Sequence, residues 1–229
     1  MLKSLLCFLQ TYKNSFRWAT DCGCKDLILK YGLQYLDTKK IKKVLDVGSG
    51  KNEEICSLVP KAEEFHFIDN MFLPEQKPRF HLHLQSAGQK FRIDSETIDL
   101  VVSNGSFDHL SGDDQKSAFL EIERVLKKGG IFLFACEYFD FDDETFFEKS
   151  QNDPDAKKRN VCSFCNINLL KIIKLLTKLR PIQKDLRFLP DGRPLKLIKT
   201  QKELNIFSGT TSTGLTSIFG SFFIVFKKL

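Results

Sequence analysis

The sequence predicts an α/β domain in which strands alternate with helices around a parallel sheet. Two observations carry this expectation. Short apolar runs recur at residues 44–47, 65–68, 98–102 and 131–136, and stretches of helical spacing stand between them at residues 53–58 and 117–126. The run Ile98-Asp99-Leu100-Val101-Val102 is nearly continuous in its apolar character, as suits a strand buried on both faces. Neighbouring parallel strands need a crossover, usually helical, so this alternation of periods is the signature of such a sheet.

The elements follow in order. Residues 1–37 read as two helices around a turn at Asp21-Cys22-Gly23-Cys24, with Leu2, Leu5, Leu6, Leu9 and Phe16 near helical spacing on the first. Residues 44–47 form the first strand, which runs straight into Gly48-Ser49-Gly50. A short helix over 53–58 stops at Pro60. Strands at 65–68, ending at Asp69, and at 80–84, where His81 and His83 alternate with apolar residues, come next. After the fourth strand, Phe119, Ile122, Val125 and Leu126 mark a helix over 117–126, stopped by Lys127-Lys128-Gly129-Gly130. The fifth strand occupies 131–136. From Tyr138 to Asn160 the chain reads as a long polar loop. Residues 167–179 read as a helix bearing Leu169, Leu170, Ile173 and Leu176, and residues 222–226 as a closing apolar strand. Internal repeats and low-complexity linkers are absent, so the 229 residues count as one domain.

The formal net charge of +6 hides an asymmetry. Residues 1–45 carry 9 Lys/Arg against 3 Asp/Glu, residues 46–150 carry 11 against 21, and residues 151–229 carry 15 against 5. An acidic middle thus lies between two basic ends. No apolar run reaches the ~20 residues of a membrane span. The first nine residues have too short an apolar core and no small-residue cleavage site, so a helix is expected there rather than a targeting signal. Seven cysteines, an odd number, then point to a reducing cytoplasm rather than a disulfide framework. Cys22, Cys24, Cys162 and Cys165 could in principle meet as a four-thiolate zinc site. Only the second pair has the usual two-residue spacer, and ordinary half-buried thiols are the expectation.

The informative stretch is Val44-Leu-Asp-Val-Gly-Ser-Gly-Lys-Asn52, a strand feeding a glycine-rich turn. A phosphate-cradling loop needs a glycine five positions before Gly50 and a Ser or Thr after Lys51; Leu45 and Asn52 stand there. A dinucleotide fingerprint needs a third glycine three positions after Gly50, and Glu53 would instead face phosphate charge. The third option fits. Asp46 places an acid where a cationic ligand would lie, and Gly48 and Gly50 let the backbone pass close beneath it. Asp69 ends the next strand, where a carboxylate can accept from the hydroxyls of a ribose. Acid before the glycines and acid at the second strand end describe a site for S-adenosylmethionine, a nucleoside bearing a sulfonium, an ammonium and a carboxylate.

Four segments in order resemble the class I S-adenosylmethionine-dependent methyltransferases, particularly the broad type 11 group. They are Val44-Leu-Asp-Val-Gly-Ser-Gly50, Phe67-Ile-Asp69, the stretch 91–103, and Ile122-Glu-Arg-Val-Leu-Lys-Lys-Gly-Gly130, which matches E-x-x-R-V-L-K-P-G-G. The resemblance implies a Rossmann-like class I methyltransferase fold: a seven-stranded, mostly parallel sheet with an antiparallel last strand, for which 222–226 is well placed, and helices on both faces. It implies one domain over 1–229, with N-terminal helices or lid over 1–40, a cofactor-binding half over 41–137 and a substrate-side half over 138–229. Asp46, Gly48, Ser49 and Gly50 should then line the methionine and ribose portion of S-adenosylmethionine, and Asp69 should hold the ribose. Asn70 or Met71 should lie against the adenine, Gly88 should join the cofactor set, and Asn104 should sit beside the methionine end. The product would be S-adenosylhomocysteine.

Three residues depart from the family pattern. Asn52 replaces a third glycine, a place where Asn tolerates left-handed backbone better than most residues. Ser86-Ala87-Gly88 stands where the adenine-binding acid is usual, and Lys128 replaces a proline. Asp46 and Asp69 could instead merely cap helices.

The acceptor is not written in the chain. If the basic C-terminal part faces the cleft through Arg187, Arg193 and Lys196, the acceptor is an anionic small molecule. An RNA substrate and a non-catalytic cofactor-binding relative are the alternatives. Asp108, His109, Glu137 and Tyr138 are candidate bases by position only, and a packed or capping role for His109 competes. Tyr12, Phe16 and Trp18 could form a lid or simply pack. Asp140-Phe-Asp-Asp-Glu144 lacks the glycine and spacing of a calcium loop. His81 and His83 should share one face, and with no Cys or carboxylate pattern beside them no metal site is expected.

Overall fold

The computed structural model describes residues 28–107, 110–139, 173, 175–182, 186–188, 208–210 and 216–229; for residues 29–30, 137–139, 186–188, 208–210 and 216–222 the backbone alone is described. Most of the two helices expected over 1–37, the part of the loop expected over 138–160 that follows Phe139, and most of the helix expected over 167–179 fall outside these residues, as do Cys7, Cys22, Cys24, Cys162 and Cys165; Tyr138 and Phe139 belong to a strand rather than to the expected loop. The described chain begins with a π-helical turn (Ile28–Gly32) and a 3-10 turn (Leu33–Tyr35).

Five parallel strands follow: β1 (Lys43–Val47), β2 (Glu64–Asp69), β3 (Phe80–Leu84), β4 (Ile98–Asn104) and β5 (Leu126–Phe139). Helix α1 (Glu54–Leu58) joins β1 to β2, and α2 (Gly112–Val125) joins β4 to β5. Four further strands are β6 (Leu179–Pro181), β7 (Leu186–Phe188), β8 (Ser208–Thr210) and β9 (Thr216–Lys228). The main path runs β3-β2-β1-β4-β5-β9-β6, with β9 antiparallel to both β5 and β6. The seven-stranded, mostly parallel sheet with a reversed last strand is therefore present. The short strands β7 and β8 pair with other stretches of β9.

Alternation along each strand builds two cores. One face carries Leu45, Val47, Ile68, Val101, Phe132 and Phe134, packed on Ala118, Phe119, Ile122 and Val125 of α2. The other carries Val44, Phe65, Phe67, Leu100, Val102 and Leu133, packed on Ile55 and Leu58 of α1 together with Ile28 and Ile41. Burial of each Val, Leu, Ile and Phe among them stabilises the fold by about 1.5–3 kcal/mol.

Helix α2 starts at Gly112, one and a half turns before the expected Ser117. Its start is fixed by polar capping rather than by the apolar stripe: Ser111 Oγ accepts from Asp114 N, and Asp113 and Asp114 sit in the positive first turn. The helix ends at Val125, and β5 begins at once with Leu126 pairing Ile98. Gly129, at φ 80°, turns the chain within that strand. The helix expected over 167–179 ends before Leu179, which pairs with Lys228 as the first residue of β6.

The connection from β3 to β4 contains no helix; side chains of α2 hold it instead. Arg124 donates to the carbonyls of Ile93 (2.9 Å) and Phe91 (3.1 Å) while pairing with Glu121, and Glu121 accepts from Phe91 N at 2.7 Å. The E-x-x-R portion of the fourth motif thus does structural work in this chain.

Candidate active site

The glycine-rich turn leaves β1 at the carboxyl edge of the sheet, where a doubly wound fold places its ligand. The Val47 carbonyl accepts from both Ser103 Oγ and Ser106 Oγ at 3.0 Å, so two hydroxyls from the end of β4 clamp the start of the turn. Gly48 has φ 75°, and a Cβ there would come within 2.1 Å of Ser106 Cβ. Gly48 N and Ser49 N both donate to the Ile68 carbonyl, tying the turn to β2. Gly50 has φ 56°, but a Cβ there would meet nothing within 4 Å. The two glycines therefore serve different needs: Gly48 admits Ser106, and Gly50 faces open space.

Asp69 closes the turn from the other side. Its Oδ2 accepts from Gly50 N at 3.0 Å, and its Oδ1 accepts from Met71 N at 2.8 Å and Phe72 N at 3.0 Å. A carboxylate offers about four acceptor positions, so about one remains for a ligand hydroxyl. Beyond it Asn70 is exposed, and Met71 (60% exposed) and Phe72 (50%) hold apolar surface in solvent beside Leu84, whose backbone pairs with Asp69. Lys51 Nζ lies 5.4 Å from the centre of the Phe72 ring.

Asp46 lies on the same sheet face as Asp69 and is only 8% exposed. Burial first, then the charges of Asp69 and Glu54, push its carboxyl up to about 7. At the end of β4, the Asn104 amide oxygen is buried and has no hydrogen-bond partner among the described residues. A buried carboxyl crowded by two other acids, with an unpaired acceptor at the end of the neighbouring strand, favours a ligand that brings positive charge and N–H donors. S-adenosylmethionine carries both, so the residues present fit it.

Two expected residues show other contacts. Asn52 does not adopt left-handed backbone, since Glu96 is the single non-glycine residue with positive φ among the described residues. Instead Asn52 Oδ1 accepts from Glu54 N two residues on, in a local turn that leads into α1. At Gly88 a Cβ would fall within 2.3–2.6 Å of the Asp114 side chain, so its bareness lets α2 approach. Glu53 forms an ion pair with Lys77. Asp108 and His109 lie outside the described residues, and Glu137 and Tyr138 are placed only as backbone in β5.

Sequence reading missed Ser103 and Ser106 as the clamp on Val47. Their signal was present in Ser103-Asn-Gly-Ser106, small polar residues at a strand end, but a hydroxyl aimed at a neighbouring strand's carbonyl has no local pattern.

The methyltransferase domain family matches residues 45–134, which run from β1 through β5 and contain nearly every contact described above. Residues 45–134 are a methyltransferase domain. Members of this family take their methyl group from S-adenosylmethionine. No curated protein matches the chain. Among solved structures, the methyltransferase domain and its flanks resemble the YcgJ protein of Bacillus subtilis, with 17% identity, 87% of this chain and 97% of that chain covered, and a TM-score of 0.59. They also resemble geranyl diphosphate C-methyltransferase of Streptomyces coelicolor A3(2), solved with Mg2+, geranyl diphosphate and S-adenosyl-L-homocysteine. There the identity is 12%, the coverage 89% and 80%, and the TM-score 0.60. The N-methyltransferase NodS of Bradyrhizobium japonicum WM9 is similar at 12% identity, 89% and 96% coverage and a TM-score of 0.52. At these identities the likeness shows the class I methyltransferase fold. Among the described residues no helix is long and apolar enough to cross a membrane.

Proposed function

We propose that the chain transfers a methyl group from S-adenosylmethionine to a small anionic acceptor, with Asp46, Gly48, Ser49, Gly50, Asp69, Asn70, Gly88 and Asn104 lining the cofactor site. The observation that carries this reading is the linked pair Gly50–Asp69, which holds a carboxylate at the open side of the glycine turn with Asp46 buried on the same face. When bound, S-adenosylmethionine supplies an activated methyl carbon for in-line displacement. The chain's own residues bind and orient. Asp69 gives its remaining acceptor position to a ribose hydroxyl, Asn104 accepts from the ammonium, and the Asp46 carboxylate offsets positive charge. Exposed Met71 and Phe72 offer the apolar surface an adenine ring would cover. Holding the acceptor in line and excluding water then supplies several kcal/mol of rate acceleration.

In this reading residues 41–137 are the cofactor half and 138–229 the acceptor side, with 1–40 contributing helices or a lid. The net +10 of residues 151–229 supports an anionic acceptor, and seven cysteines suit a reducing cytoplasm. The test is to incubate the chain with methyl-labelled cofactor and a metabolite extract, with and without ribonuclease, and separate products by anion exchange. Label in small, nuclease-resistant anions is expected. Label in RNA would replace the acceptor class, and cofactor binding without label in any fraction would reduce the chain to a binding protein.

A further inference from the structure

On the sheet face opposite Asp46 and Asp69, the edge pair β2–β3 brings together groups that lie far apart along the chain. Parallel pairing sets His66 beside His81 and places His83 one step further on β3, with Glu64 one step back on β2. Alternation turns all four side chains to one face. Glu64 Oε2 lies 3.5 Å from His66 Nε2 and 3.9 Å from His81 Nε2, and the three ligand atoms all fall within 4.8 Å of one another. The other nitrogen of His66, Nδ1, lies 3.2 Å from His83 Nε2.

We propose that Glu64, His66 and His81 form a binding site for a divalent transition-metal ion of the zinc type, with His83 as the positioning residue that orients His66. A tetrahedral zinc ion with ligand bonds of about 2.0–2.1 Å holds its ligand atoms about 3.3–3.5 Å apart. The Glu64–His66 separation already meets that, the Glu64–His81 separation is 0.4 Å beyond it, and the His66 and His81 rings, stacked 4.6 Å apart with 17° between their planes, would turn so that both lone pairs meet one ion. Two imidazoles and one carboxylate are a common donor set for such ions and leave a fourth position for water. A ligating histidine usually hands its second nitrogen to a hydrogen-bond partner, which is what His83 provides. Lys43 Nζ, 2.9 Å from Glu64 Oε2, is the cation now held there; its partly exposed side chain can swing away. Looking along the chain alone, His81 and His83 had no carboxylate partner. Strand pairing supplies one from β2.

Because β3 pairs only with β2 among the described residues, an ion bridging the two would pin that strand. The test is a Zn2+ titration of the untagged full chain against a chromogenic chelator, repeated with Co2+ to read the ligand type by absorption. One equivalent should bind in the micromolar range, without thiolate-to-cobalt charge-transfer absorption. A hundredfold excess over Kd should raise the melting temperature by about 5–10 °C. His81→Ala, at a half-exposed position, should keep the metal-free melting temperature and weaken Zn2+ binding at least about tenfold, and His83→Ala should weaken it about tenfold. Absence of binding by the wild-type chain, binding unchanged in His81→Ala, or a cobalt spectrum dominated by thiolates would overturn the proposal. Since the site lies on the other sheet face, none of these outcomes bears on methyl transfer.

Discussion

The Gly50 backbone N–H donates to Asp69 Oδ2 over 3.0 Å, so one carboxylate joins the turn after β1 to the end of β2. The same side chain accepts from Met71 N and Phe72 N. Asp69 is thus both a structural closure and the group best placed to meet a ligand hydroxyl. Removing it should hurt twice. Asp69→Ala strips acceptors from three backbone donors at a partly exposed site and should cost about 1–3 kcal/mol of stability, read by chemical denaturation. Asp69→Asn keeps one carbonyl oxygen and should lose less than half of that.

The glycines should separate folding from binding. In Gly48→Ala the new methyl meets Ser106 Cβ and the backbone sits at φ 75°, so about 3 kcal/mol or more of stability should be lost. Because the clash is with Cβ, Ser106→Ala cannot relieve it, whereas Ser106→Gly should restore part. In Gly50→Ala only the left-handed strain applies, about 1–2 kcal/mol. Its methyl would project into the open cofactor side, so the larger loss should be in cofactor affinity. Equal effects of the two substitutions in both assays would contradict this division.

Asp46 links binding to pH. Its carboxyl titrates near 7 in the fold against an ordinary value of 3.8, so the native state holds an extra proton between those values. The stability it contributes is greatest below about 3.8 and falls as pH rises through about 7. Asp46→Asn should therefore raise the melting temperature at pH 8, by about 2–4 °C for each kcal/mol relieved, and leave it little changed at pH 4. Cofactor affinity of the unmodified chain should rise with pH across the same window, with proton release visible as buffer-dependent binding enthalpy. The Asn variant should lose that pH dependence.

Arg124 offers a control. Arg124→Ala frees the Phe91 and Ile93 carbonyls and strands Glu121, all partly buried, which should cost about 2 kcal/mol. Arg124 holds the Phe91–Ile93 end of the β3–β4 connection and, among the described residues, makes no hydrogen bond to the glycine turn, so the folded variant should bind cofactor within about twofold of the unmodified chain. A tenfold loss would mean that Gly88, in that connection, carries more of the site than its packing on Asp114 suggests.

The sheet was legible because its signals are local. Apolar runs gave β1 to β4 within two residues and the middle of β5, which starts five residues before the expected 131 because Leu126 pairs with Ile98, and the motif order placed the reversed strand that proved to be β9. Boundaries failed where tertiary partners decide them. The cap at Ser111 starts α2 ahead of its apolar stripe, and Leu179 leaves the helical pattern because β9 offers it a pairing partner. In the proposed site, Asp46, Gly50 and Asp69 stand out from strand ends and glycines alone, and Asn104 from the family resemblance. The Ser103–Ser106 clamp and the Glu64–His66–His81 cluster could not. Both arise from register between strands, and register is invisible to a reading along one strand at a time.

The central claim is that the turn closed by Asp69, with Asp46 behind it, binds S-adenosylmethionine. Isothermal calorimetry of S-adenosylmethionine and S-adenosylhomocysteine at pH 8, on the unmodified chain and on folded Asp69→Ala and Asp46→Asn, tests it most directly. One cofactor per chain should bind, at least about tenfold more weakly in each variant, a loss equivalent to about 1.4 kcal/mol. Asp46→Asn should lose more affinity for the sulfonium form than for S-adenosylhomocysteine. Failure of the unmodified chain to bind either compound, or affinity untouched by both substitutions, would contradict it.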